Sequence, residues 1–241
     1  MRIGSFALTS ALCISGAAAK DPPADADAVM RRLNQEAGGH WTKSQEATNP
    51  GSLHSDGKAR PLFDPKAATL DVVTQSALDF LTAYADLWRL QDPAKELKRR
   101  SAQPGWQVEF RQWNGGVRVF DAGIDVFFTR DGVPDWIRSR YIPGLDALDK
   151  SVKLNGAQAI EAARRHLTTS AHVPLEAIRV SEKPMLGISA SQRDEPPRPA
   201  RLLYRLRLAT NTLTQDCEID ARTGEVVSEN YLHPETAHPV R

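Results

Sequence analysis

The sequence predicts an α+β fold in which an amphipathic helix followed by antiparallel strands occurs twice. Three observations predict it. Residues from Trp106 to Leu145 alternate in polarity between small turns, the pattern of strands that bury one face. Ahead of them, Leu70, Val73, Ala77, Phe80, Leu81, Tyr84, Leu87 and Trp88 recur at steps of three and four, the stripe of a helix that must bury against a sheet. The same order then returns: Ala157, Ile160, Ala163 and Leu167 mark a short helix, and alternating runs follow it up to Leu232.

Each element has its own punctuation. Asp25 is an N-cap for a short amphipathic helix through Ala26, Val29, Met30 and Leu33, which Gly38-Gly39 stops. From His40 to Arg60 no period is visible, so residues 20–67 read as a polar N-terminal extension carrying that one helix. His40 and His54 are expected in solvent there. The long helix is expected from Leu70 to Leu90, ended by Asp92-Pro93. Lys98, Arg99 and Arg100 form a basic run expected as a solvated face. In the meander, Asn114-Gly115 and Asp131-Gly132 are hairpin signals, because Asn, Asp and Gly tolerate the positive φ of tight turns. Expected strands are Trp106 to Trp113, Val117 to Phe120, Ile124 to Thr129 and Val133 to Ile142.

The second half opens at Asn155 with Gln158 three residues on, a capping box. Ile178 and Val180 precede a Pro-rich loop from Ser189 to Ala200. Leu202, Tyr204, Leu206 and Leu208 then alternate with Arg201, Leu203, Arg205 and Arg207, and strands at Cys217 to Ala221 and Glu225 to Leu232 flank the turn Arg222-Thr223-Gly224. The expected domains are 68–148 and 149–232, with 233–241 as a tail.

The totals exclude several classes of function. With 31 Lys and Arg against 30 Asp and Glu, the chain has no electrostatic footprint for nucleic acid or an anionic membrane. Arg2, the apolar run Ile3 to Ile14 and Ala17-Ala18-Ala19 have the order of a secretory signal, 1–19, cleaved after Ala19. The expected location is therefore periplasmic or secreted. Cys13 follows Leu12, where a lipoprotein signal wants a small residue. No other apolar run is long enough to span a bilayer. Removal of the signal leaves Cys217 as the one cysteine, so no internal disulfide is expected. Its alternation with Ile219 predicts a small buried hydrophobe.

A search for chemistry returns no catalytic, cofactor or metal residues. There is no His-Glu-x-x-His, no Cys-x-x-Cys, no phosphate-binding Gly-rich loop and no dinucleotide fingerprint. Gly187-Ile188-Ser189-Ala190-Ser191 begins like a hydrolase nucleophile elbow but lacks its second glycine. Asp121, Asp125, Asp131 and Asp135 are near one another in sequence; a turn accounts for Asp131, and the solvent face of strands for the rest. His166 beside Arg164 and Arg165 is expected to be exposed, His172 lies in a loop, and His233 and His238 lie in the tail. The chain is not expected to be an enzyme.

Certain segments resemble a family: the propeptides of thermolysin-like and fungalysin-like secreted metalloproteases. Ala77 to Leu81, Ala85 to Leu90, Val108 to Gln112 and Asn114 to Phe120 resemble the fungalysin/thermolysin propeptide domain. Ala157 to Ile160, Leu203 to Leu206 and Ile219 to Val226 resemble a PepSY domain. The likeness spans residues 68 to 232. It implies two similar halves, each a helix packed on a curved antiparallel sheet, and a partner: a secreted zinc metalloprotease whose folding is assisted and whose cleft is blocked. Two departures stand out. Asp121-Ala122 occupies a bend where the family often has paired glycines, and the family's catalytic domain would follow the PepSY half, whereas this sequence ends at Arg241.

The leading expectation is thus an exported propeptide-like protein that binds such a protease as inhibitor or folding assistant. The alternatives are the pro-region of a precursor whose catalytic domain is not in this chain, and a general periplasmic PepSY-type binding module. The expected partner surface is the exposed edge of the meander together with the tail after Leu232.

Overall fold

The computed structural model describes residues 26–43, 52–103, 106–191 and 198–232. The expected signal peptide, the tail with His233 and His238, and the middle of the Pro-rich loop lie outside the described residues. Four helices, α1 (Ala26–Glu36), α2 (Leu70–Ala83), α3 (Pro93–Glu96) and α4 (Gly156–Ala171), accompany ten strands. The strands are β1 (Trp41–Lys43), β2 (Ser52–Ser55), β3 (Leu97–Gln103), β4 (Gln107–Asn114), β5 (Val117–Phe128), β6 (Pro134–Ser139), β7 (Arg179–Ser191), β8 (Arg198–Ala209), β9 (Thr214–Asp220) and β10 (Val226–Leu232).

All ten strands join one mixed sheet, with four helices in an α+β arrangement. Its main path runs β1-β2-β6-β5-β7-β8-β9-β10, and β4 pairs with β5 while carrying β3 on its other side. Neighbours are antiparallel except β5 and β7, which meet in parallel at Val119 and Ile188.

β5 is the strand that makes the sheet continuous. Val119 and Ala122 enter one hydrophobic cluster, and Ile124, Val126 and Phe128 enter another. Between the Trp113–Arg118 and Arg111–Gly123 pairs β5 has three more residues than β4, an irregularity that contains Asp121 at φ 57. Such a bulge restores the alternation, so both ends of the strand turn the same side inward. The first cluster joins Leu33 of α1 and Val73, Phe80 and Leu81 of α2 to Val108, Phe110, Ile124 and Ile137 of the sheet. The second joins Ala159, Ala163 and Leu167 of α4 to Leu202, Leu206, Leu208, Cys217 and Ile219. Each large aliphatic or aromatic side chain so buried contributes about 1.5–3 kcal/mol.

Several sequence expectations change. The stretch read as linker supplies β1 and β2, which extend the sheet beyond β6 through Leu53 and Ile137, and both Trp41 and Leu53 are buried. The N-terminal extension is thus part of the first core, to which α1 adds Met30 and Leu33. The basic run Lys98 to Arg100 lies in β3. The long helix stops at Ala83, and a single 3-10 turn, Ala85–Leu87, follows. The two expected strands after Gly116 are one strand, β5. In the first hairpin Asn114 pairs with Val117, so the turn residues are Gly115 and Gly116, at φ 56 and 83. Asn114 instead donates from Nδ2 to Asp146 Oδ1 at 2.9 Å. The capping box at Asn155 and Gln158 is present, but Ala159 lies inward while Ala157 is exposed.

Cys217 is buried, as its alternation implied. Burial first, then the carboxylates of Glu229 and Asp216, pushes its thiol from 9.0 up to about 12. A raised acid in the folded state leaves stability intact below the unfolded value and erodes it above, because the unfolded chain ionises first. Stability is therefore expected to fall between pH 9.0 and about 12, by up to about 1.4 kcal/mol per pH unit from this group. Burial and Glu96 also push Tyr141 up, adding to the same alkaline loss. Urea midpoints for wild type and Cys217→Ala at about pH 8 and about pH 11 check this: the variant loses less stability on the alkaline step.

Candidate binding face of the sheet

The helices pack against the inward side chains of the strands in two hydrophobic clusters. Along β4 every second residue is buried, which turns Gln107, Glu109, Arg111 and Trp113 outward. Strand register lines these up with outward residues of neighbouring strands.

His54, Trp136 and Phe127 form a ladder across β2, β6 and β5. Phe127 and Trp136 stack with centroids 4.6 Å apart, and His54 stacks on Trp136 at 5.5 Å. His54 is exposed, as expected, and its ring also ends this stack. One rung along, Asp125 accepts from Arg138 Nε at 2.8 Å, from Arg138 Nη2 at 2.5 Å and from Arg140 Nη2 at 3.4 Å. Its side chain is 2% exposed beneath the side chains of Arg138 and Arg140, which are 38% and 41% exposed, so Asp125 is a covered carboxylate and not part of a solvated strand face.

Further along lie Lys98, Arg111, Trp113 and Arg118. Lys98 pairs in register with Arg111, and Trp113 with Arg118. Lys98 Nζ stands 3.9 Å from the centroid of the Trp113 ring, a cation–π contact. Lys98, Arg111 and Trp113, with Arg99, Arg100, Ser101 and Glu109, line an open depression of about 600 Å³ on β3 and β4; Arg118 of β5 lies outside that lining. Arg100 and Glu109 pair at 3.3 Å. Arg118 donates from Nη1 to Met185 Sδ at 3.4 Å, while its buried Nε has no hydrogen-bond partner among the described residues. Burial and then the like charge of Arg111 lower its pKa; Asp121 opposes the shift, and Arg205 and Arg100 add to it.

Across β5 the charges are neutralised. Arg205 lies 4.2 Å from the Phe120 ring centroid and binds Asp121 and Glu218, each at 2.7 Å. Arg207 binds Asp216 at 2.6 Å and also pairs with Glu182. Arg205 and Arg207 are thus held in ion pairs, whereas Lys98, Arg111 and Arg118 have none among the described residues.

Gly187 to Ser191 runs within β7, with Gly187 beside Phe120 and Ser189 Oγ 3.5 Å from Glu218, so the segment lacks the strand-to-helix turn of a nucleophile elbow. Among the described residues no three His, Cys, Asp or Glu side chains group as a metal site. His166, expected to be exposed, is half-buried with Nε2 3.0 Å from Glu229 Oε2, which also accepts from Gln215 Nε2 at 2.6 Å. His172 ends α4 in the left-handed region at φ 53.

The meander's own edges are not free. β3 covers β4, and β2 covers β6. The edge therefore moves out to β3, where Lys98, Arg99 and Arg100 are exposed and the register shifts between Arg99 and Ser101. Exposed cations and a bulge are devices that discourage strand addition. Among the described residues the sheet also ends at β1 and β10.

No family model matches the chain, and no curated protein matches it. Among solved structures it is similar to the YpeB C-terminal domain of Bacillus megaterium, at 15% identity and a TM-score of 0.41 over 86% of this chain and 96% of that one. It is also similar to a Clostridium difficile 630 protein assigned as a lipoprotein, at 10% identity and a TM-score of 0.25 over 69% of this chain and 97% of that one. No described helix is long and apolar enough to cross a membrane.

Proposed function

We propose that this is an exported propeptide-like protein that acts by binding, not by catalysis, and that its partner is a secreted thermolysin-like zinc metalloprotease. The observation that carries this reading is where the resembling segments fall. α2 precedes the β4–β5 hairpin, α4 precedes β8 and β9, and β3 and β4 carry an open depression. We read the two hydrophobic clusters as the two similar halves that the resemblance implies. A surface that binds the native protease but not its unfolded chain stabilises it by mass action, about 2.7 kcal/mol at a hundredfold excess over Kd. Where that surface covers the cleft, substrate is excluded as well.

The test mixes the purified protein with thermolysin-like proteases, including any exported by the same cell, and follows peptide hydrolysis, complex formation by size exclusion and recovery of activity on refolding. Saturable inhibition with a stable complex, or a raised refolding yield, is expected. Absence of all three with every such protease overturns the reading.

A further inference from the structure

We infer that the depression between β3 and β4 is an anion site that takes the carboxylates of an acidic segment on the partner protein. This rests on the reading of the chain as a protein-binding module and names the chemistry of what it binds. Lys98, Arg111 and Arg118 are brought together by register, on strands that the sequence separates. The carboxylates nearest them are already engaged. Glu109 accepts from Gln107 and pairs with Arg100, and Asp121 is held by Arg205. Clustered cations repel one another, so an oxyanion bound between Lys98 and Arg111 relieves that penalty.

Carboxylates fit better than a nucleic-acid backbone. A guanidinium presents paired donors that match a carboxylate fork. Nucleic acid is held by a long basic stripe, but this patch is bounded by the Asp125 pairs with Arg138 and Arg140 on one side and by Arg205 with Asp121 and Glu218 on the other. The chain as a whole is nearly neutral, at 31 basic and 30 acidic residues, so attraction is local to the depression. Lys98 sits on the Trp113 ring, and an acidic ligand that draws it away alters the surroundings of that indole.

The experiment titrates the protein with a synthetic peptide of alternating Glu and Ser, and follows tryptophan fluorescence and calorimetric heat. Controls are the same peptide with Gln for Glu, inorganic phosphate and a single-stranded oligonucleotide. The Glu peptide is expected to bind saturably, more weakly as salt rises, and about tenfold or more weakly to Arg111→Gln and to Lys98→Gln. Lys98 is exposed, so its variant keeps the test valid should an arginine variant fold poorly. Arg207→Gln, outside the patch, is expected to leave binding unchanged. No saturable binding, equal binding of the Gln peptide, tighter binding of the oligonucleotide or of phosphate, or unchanged affinity in both patch variants overturns the site. Protease inhibition is measured on the same variants. Inhibition that persists without peptide binding removes this site alone, and peptide binding without inhibition of any protease removes the protease reading alone.

Discussion

Gly123→Ala is expected to destabilise the protein more than any other single methyl added to its sheet. A Cβ at Gly123 would lie 2.0 Å from the Phe110 carbonyl oxygen and 3.1 Å from its carbonyl carbon. Both atoms are backbone of β4, which cannot swing aside as a side chain does. Gly123 is also held from the other side, because Arg140 N donates to its carbonyl at 2.8 Å. Relief of the clash therefore requires β4 and β5 to part at the Arg111 and Gly123 pair, beside buried Phe110 and Ile124. Overpacking against side chains typically costs about 1–3 kcal/mol. Against a fixed backbone, with ladder bonds lost, about 3–5 kcal/mol is expected, a large share of the about 5–15 kcal/mol that holds a domain folded. Urea unfolding followed by circular dichroism checks it, and a loss below about 1 kcal/mol would show that the β4 backbone yields to the added methyl.

The same strand shows why part of this fold was legible in the sequence and part was not. β4 alternates strictly, β8 alternates from Tyr204 to Leu208, and α4 begins with a capping box, so period and punctuation both pointed to them. Asp121 carries no such mark. Its positive φ is decided by the neighbours of β5, and without it one strand reads as two. β1 and β2 are three and four residues long, too short for a period, and β2 is fixed by β6 through Leu53 and Ile137. β3 is an edge strand whose Lys-Arg-Arg run has the composition of a solvated face. The candidate site was less legible still. Trp113 and Arg118 face each other across a visible hairpin, but Lys98 joins them only through pairing of β3 with β4. A basic residue opposite an outward aromatic in a hairpin was the one signal available. Asp125 misled because alternation says which side a residue faces, not whether arginines cover it.

Gly187 misled in another way, and its substitution has the second large expected effect. The Gly-x-Ser that suggests an elbow is there to make room. A Cβ at Gly187 would lie 2.4, 2.6 and 2.7 Å from three atoms at the tip of the Phe120 ring. Unlike Gly123, the obstacle is a side chain, so the question is whether the ring can move. Phe120 is 3% exposed, and Arg205 lies against it, itself tied to Asp121 and Glu218. Displacing the ring disturbs that contact and pushes on a paired guanidinium. Gly187→Ala is expected to cost about 2–3 kcal/mol. The sign is informative, since Gly187 is not among the positive-φ glycines. Alanine at such a strand position ordinarily stabilises by about 0.4–1 kcal/mol through the unfolded chain. A loss therefore measures the Phe120 clash and not a strand preference. Phe120→Leu shortens the obstacle, so the double variant is expected to lose less than the two single losses together, by about 1 kcal/mol or more. Additivity within about 0.5 kcal/mol, or a stabilised Gly187→Ala, would mean that the ring relaxes freely and that the Phe120 and Arg205 contact does not anchor the junction of the sheet.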